Sequence, residues 1–98
     1  MLPFLTVQSA AFVNAVQLVA CCPADHTLIA KMTDQDGVIV RMFRWHVISG
    51  RNMATLTDLS LLPPGGYDLT FMDTHGTILQ NIELTKAASL FAGNVTAN

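Results

Sequence analysis

Residues 62–86 read LPPGGYDLTFMDTHGTILQNIELTK. Pro63-Pro64-Gly65-Gly66 halts regular structure, because proline cannot donate to a ladder and glycine adopts backbone angles closed to other residues. Tyr67, Leu69 and Phe71 then alternate with Asp68, Thr70 and Met72, the period-two pattern of a strand with one buried face. Asp73-Thr74-His75-Gly76 follows as a D-x-x-G turn, in which the aspartate accepts backbone N–H bonds and a glycine three residues on tolerates positive φ. Thr77 to Leu84 runs back, so the segment is expected to form a hairpin.

The device occurs twice. KMTDQDGVIV (31–40) aligns with TFMDTHGTIL (70–79), placing the turn glycines Gly37 and Gly76 39 residues apart. Ahead of the first turn, Leu28, Ala30 and Met32 share one face and Thr27, Ile29 and Lys31 the other; beyond it, Val38 to Phe43 resumes the chain. Two copies are too few for a solenoid. They predict two like hairpins facing each other across one core. Between them Ser49-Gly50-Arg51-Asn52 reads as a turn cluster, and Leu56, Leu59 and Leu62 could anchor an irregular strand or short helical turn. Phe4 to Gln8 and Phe12 to Cys21 supply one or two further strands, closed by Pro23. With no ten-residue helical stripe anywhere, the expectation is all-β: an antiparallel, immunoglobulin-like β-sandwich of about seven strands. The Cys-Trp-Cys spacing of an antibody domain is missing, so the expectation concerns architecture alone. One domain spans 1–98, with a tail over 87–98 that fits a docked helix, a frayed end or a swapped arm.

The composition is 51% hydrophobic and 12% charged, against about 25% charged in an average soluble domain. Such a chain leaves apolar surface exposed, which points to a protein partner or a homo-oligomer. Five Lys and Arg in 98 residues make no nucleic-acid footprint. No charged side chain precedes Asp25, and Leu18-Val19-Ala20-Cys21 falls where a lipid-acceptor cysteine would stand. A leader would carry an early Lys or Arg, however, and Gln8, Asn14 and Gln17 interrupt the apolar run, so strands and no membrane span are expected. Cys21 and Cys22, adjacent on a strand, point to opposite faces, one into the core and one outward.

Groups able to carry chemistry are sparse. His26, His46 and His75 show no metal-ligand spacing with one another or with the cysteines. The stretch Met32 to Gly37 resembles a calcium loop but has Met32 at the first ligand position and Phe43 at the twelfth. No nucleophile elbow or phosphate-binding glycine loop occurs, and the acids fall mostly on turns or outward strand positions. No catalytic, cofactor or metal residue is therefore assigned, and the chain is expected not to be an enzyme. Asn94-Val95-Thr96 fits the N-glycosylation triplet. Of the large aromatics, Phe43 and Trp45 share one strand face and Tyr67 and Phe71 another, as core or as an exposed platform for a sugar or peptide. Trp45, between Arg44 and His46, is the candidate recognition residue.

The order of these elements resembles the C-terminal sorting domains of the type IX secretion system of Bacteroidetes. The matching residues are Met32 to Val40, Ser49 to Asn52, Leu59 to Tyr67, Leu69 to Met72, Gly76, and Ile82 to Lys86, within about residues 26–86. The family's Pro-Asn-Pro motif is absent, and further residues follow Lys86. The resemblance implies a seven-stranded immunoglobulin-like sandwich that travels on a secreted cargo and is recognised by outer-membrane export machinery. It also implies a secreted or cell-envelope location and no active site. Asp34, Gly37, Gly65, Gly66, Asp73 and Gly76 would be structural turn residues, and Lys86 would end a last strand involved in recognition. A sugar- or peptide-binding adhesive module and a self-associating structural protein are the alternatives.

Overall fold

A computed structural model describes residues 4–87. It is all-β, with eight strands: β1 Phe4–Val7, β2 Ala11–Phe12, β3 Val16–Cys22, β4 His26–Thr33, β5 Ile39–Val47, β6 Gly50–Leu56, β7 Gly65–Met72 and β8 Ile78–Lys86. They form a three-stranded sheet, β1-β3-β6, and a five-stranded sheet, β2-β8-β7-β4-β5. All pairings are antiparallel except β2 with β8, which is parallel. The Asn94 triplet and most of the tail over 87–98 lie outside the described residues.

The core follows from alternation. Val16, Leu18, Ala20 and Cys22 of β3 point inward, as do Leu28, Ala30 and Met32 of β4 and Tyr67, Leu69 and Phe71 of β7. One continuous cluster joins both sheets and takes in Leu5, Leu56, Leu59 and Leu84. Burying each large side chain contributes about 1.5–3 kcal/mol. Leu59, fully buried in the segment after β6, anchors it as the leucine spacing predicts, but that segment is a loop and not a helical turn.

Four expectations change. The N-terminal region yields three strands, because Ser9 and Ala10 break away from β1 and carry β2 to the far edge of the other sheet. There Thr85 N–H donates to the Ala10 carbonyl and Ala87 N–H to that of Phe12. Phe12 is buried with its ring edge-on to Tyr67, the centroids 6.1 Å apart. The strand count is eight rather than seven, and one pair is parallel. Gly50-Arg51-Asn52 does not turn; it opens β6, Gly50 pairing with Cys22 and Asn52 with Ala20. The crossing from β5 is made by Ile48 and Ser49, and Asn52 secures it, its Oδ1 accepting from Ile48 N–H and its amide donating to the Ile48 carbonyl.

The fourth change concerns the twin hairpins, which lie side by side in one sheet and not across the core. Ile29 to Thr33 of β4 pairs with Met72 to Asp68 of β7. Each hairpin has one apolar face, and β3 with its neighbours supplies the opposite wall for both. The likeness of the hairpins extends to a shared irregularity. Thr33 pairs with Ile39 and Met32 with Arg41, skipping Val40; Met72 pairs with Ile78 and Phe71 with Gln80, skipping Leu79. Both extra residues, 39 apart in sequence, pack half-buried against the core.

Just beyond each bulge a long polar side chain ties the five-stranded sheet to chain outside it. The Arg41 guanidinium donates to the carbonyls of Asp58, in the loop after β6 (2.7 Å), and of Val40 (2.6 Å). Gln80 accepts from Leu5 N–H at 3.0 Å and donates to the Leu5 carbonyl, satisfying the free edge of β1. Replacing Gln80 by Leu removes the partners of both Leu5 backbone groups and is expected to cost about 1–3 kcal/mol. Urea unfolding measures this, with the exposed Ile78→Ala as a control expected to stay within about 0.5 kcal/mol.

Candidate interaction surface

Four of the six expected turn residues, Asp34, Gly37, Asp73 and Gly76, make the hairpin turns, whereas Gly65 and Gly66 open β7, paired with Lys86 and Thr85. Asp34 Oδ1 accepts from the N–H groups of Asp36 and Val38, both at 2.9 Å. Asp73 Oδ1 accepts from His75 at 2.8 Å and Thr77 at 2.9 Å. Gly37 and Gly76 close these turns at φ of 81° and 87°, where a side chain would be strained. Gly65 and Gly66 lie against Gln35, whose Nε2 stands 3.2 Å from where a Cβ on Gly65 would be. Beside them the Tyr67 hydroxyl donates to the Pro63 carbonyl. Burial, and then the nearby Asp34 carboxylate, push the phenol pKa up. A cleft between Asp34–Asp36 and Pro63–Tyr67 results, but its Asp34 carboxylate is spent on its own turn.

The histidines are dispersed. His26 begins β4, His75 sits in a turn, and His46 on β5 has Nδ1 3.2 Å from Thr27 Oγ1. Among the described residues no three His, Cys, Asp or Glu side chains come together to hold a metal. No helix among them is long and apolar enough to cross a membrane. Cys21 is exposed and Cys22 buried, as strand alternation predicts.

Trp45 and Phe43 are neither fully buried nor displayed. Trp45 is paired with Leu28 and Phe43 with Ala30, so both lie on the core side of β5. They stay half-buried because β5 is the edge of the wider sheet. Their ring centroids are 6.3 Å apart with planes tilted by 44°. Arg41 to Phe43 of β5 and Thr55, Leu56 and Thr57 of β6 and the following loop line a shallow groove. Large apolar side chains gather on and beside this strand: Val38, Ile39, Met42 and Ile48 are each more than half exposed. Hydrophobicity counts alone could not locate this surface, since it depends on β5 being an edge. Lys86 is 3% exposed at the end of β8, alongside Phe12, so a partner there meets the strand and not a displayed ammonium group.

No known protein family matches the chain, and no curated protein does. Among solved structures it is similar to a β-glucosidase from Listeria innocua in complex with isofagomine, with a TM-score of 0.54, 10% identity and 86% of this chain covered. The glucose complex of that enzyme gives a TM-score of 0.51 at 10% identity over 87% of this chain. The chain covers 16% of the enzyme's length, so the likeness is one of fold with a domain-sized part of it.

Two outcomes follow from this geometry. The Cys22 thiol pKa is pushed up by burial and by neighbouring Cys21, so Ellman's reagent should modify one thiol per chain quickly and the second only on unfolding. Two fast thiols would contradict the placement of Cys22. The Asp73 carboxyl is held below its ordinary pKa of 3.8, first by the Thr77 N–H bond, against a smaller opposing effect of burial, with His75 assisting. Its contribution is present at neutral pH and is lost as pH falls through the lowered value, where the folded state must take up a proton it binds poorly. Melting temperature followed from neutral pH to below 3.8 should fall less steeply for Asp73→Asn than for the native chain; equal slopes would contradict this.

Proposed function

We propose that the chain is a non-enzymatic interaction module with an immunoglobulin-like β-sandwich, of the kind used as a sorting domain in type IX secretion. It would act as an export signal or as a stand-alone relative used in assembly, in a secreted or cell-envelope setting, with outer-membrane secretion machinery as the partner. The strand order supports the architecture: β1-β3-β6 against β2-β8-β7-β4-β5. So does the tyrosine at the start of β7, whose hydroxyl returns to a carbonyl four residues upstream. The observation that carries the functional reading is that four of the seven large apolar side chains exposed among the described residues, Val38, Ile39, Met42 and Ile48, lie on or beside the edge strand β5, since exposed apolar surface points to protein contact.

The half-buried Phe43 and Trp45 pair favours a second reading, an adhesive module that takes a peptide or sugar at the β5 rim. A passenger protein fused ahead of the chain, in cells that carry a type IX apparatus, is expected to leave the cell. Retention of the passenger overturns the sorting reading. Binding of the isolated chain to a glycan or peptide, lost on Trp45→Ala, would establish the second reading instead.

A further inference from the structure

The outward face of the five-stranded sheet has a charge pattern that the strand register makes explicit. Across β8, β7, β4 and β5, one row reads Glu83, Asp68, Thr33 and Ile39; the next reads Asn81, Thr70, Lys31 and Met42; a third reads Ile78, Met72, Ile29 and Arg44. Acid lies on β7 and β8, base on β4 and β5, and Ile29, Met42 and Met72 between and beside them. Asp68 and Glu83 are direct cross-strand partners, a like-charge pairing that destabilises a sheet unless a cation meets it.

We propose that this face docks a second copy of the chain, with the Lys31 and Arg44 flank of each copy lying over the Asp68 and Glu83 flank of the other. The inference deepens the interaction-module reading and rests on it. A two-fold axis in the plane of the face and diagonal to the strands achieves the match, because it carries Lys31 and Arg44, one and two rows from the acids, over Asp68 and Glu83 of the mate, and the contact is the same from both sides. Base meets acid twice, the Asp68 and Glu83 repulsion is relieved, and Ile29, Met42 and Met72 leave water. Joining through the β5 edge is opposed by the bulge at Val40 and by Arg41 and Arg44, features that protect edges from pairing. Four strands at about 4.8 Å and eight residues at about 3.4 Å give a face of about 500 Å². A standard interface buries about 800 Å² per partner, so the dimer is weak and, being charge-matched, sensitive to salt.

Sedimentation equilibrium of the full chain tests this. A monomer–dimer equilibrium is expected at about 0.01 M salt, with the dissociation constant about tenfold or more higher at about 1 M, where the screening length has fallen from about 30 Å to about 3 Å. K31E/R44E and D68K/E83K should each be monomeric, and their equimolar mixture should form a heterodimer. A monomeric native chain, reversed variants that dimerise like the native chain, or a mixture that stays monomeric would each overturn the proposal. If a reversed variant fails to fold by circular dichroism, the neutral pairs K31Q/R44Q and D68N/E83Q replace them. Each should then weaken association, and an unchanged dissociation constant would overturn the proposal. A monomer whose passenger is still exported removes this inference alone; a dimer whose passenger is retained removes the sorting reading alone.

Discussion

Three strands cannot cover five, and much of this molecule follows from that mismatch. The inner face of β4, β7 and β8 is closed by β1, β3 and β6, and there Leu18, Leu28, Met32, Leu69, Phe71 and Leu84 are all but sealed from water. Beyond that cover β2 guards one edge, bringing Phe12 over Tyr67. At the other edge β5 has no such neighbour, and Phe43 and Trp45 stop halfway to burial. Of the large apolar side chains exposed among the described residues, Val38, Ile39, Met42 and Ile48 lie on or beside this edge strand, while Met53, Leu61 and Ile78 lie elsewhere.

The two sheets are held in this offset arrangement by a repeated device. In each hairpin an Asp carboxylate gathers two N–H groups, a glycine closes the turn, one residue bulges toward the core, and the next sends a polar side chain outside its own sheet. Gln80 secures β1, and Arg41 secures the loop after β6. Backbone groups at an edge cost about 1–3 kcal/mol each when buried without partners, so these bridges let short edge strands close the core without a further strand. The same 39-residue spacing that relates the turns relates the bulges and the bridging residues.

Much of this is legible in the sequence. Alternation separates the two faces of β4 and of β7, the D-x-x-G chemistry assigns both hairpin turns, and adjacency alone separates Cys21 from Cys22. What local pattern cannot supply is which faces and edges meet. Two hairpins with one apolar face each can lie across a core or share a sheet, and the choice is made by the pairing of Ile29 to Thr33 with Asp68 to Met72. Gly50 to Asn52 has the composition of a turn and becomes a strand because β3 offers it a partner. β2 is too short for periodicity to register, and Trp45 reads as core or platform until the position of β5 at an edge gives it an intermediate place. The bridging roles of Arg41 and Gln80 carry no sequence signal beyond their matched positions in the twin segments.

The openness of the β5 edge, on which the proposed interaction surface depends, can be measured directly by residue-resolved amide hydrogen exchange in the isolated chain. Amides of Ile29 to Thr33 in β4 and Asp68 to Met72 in β7, in the stretch flanked by strands on both sides, should exchange only through global unfolding, whereas the β5 amides that point away from β4 should exchange far faster through local opening. Protection along the outward edge of β5 equal to that of β4 and β7 would mean that the edge is already occupied, contradicting the open rim on which the functional reading stands.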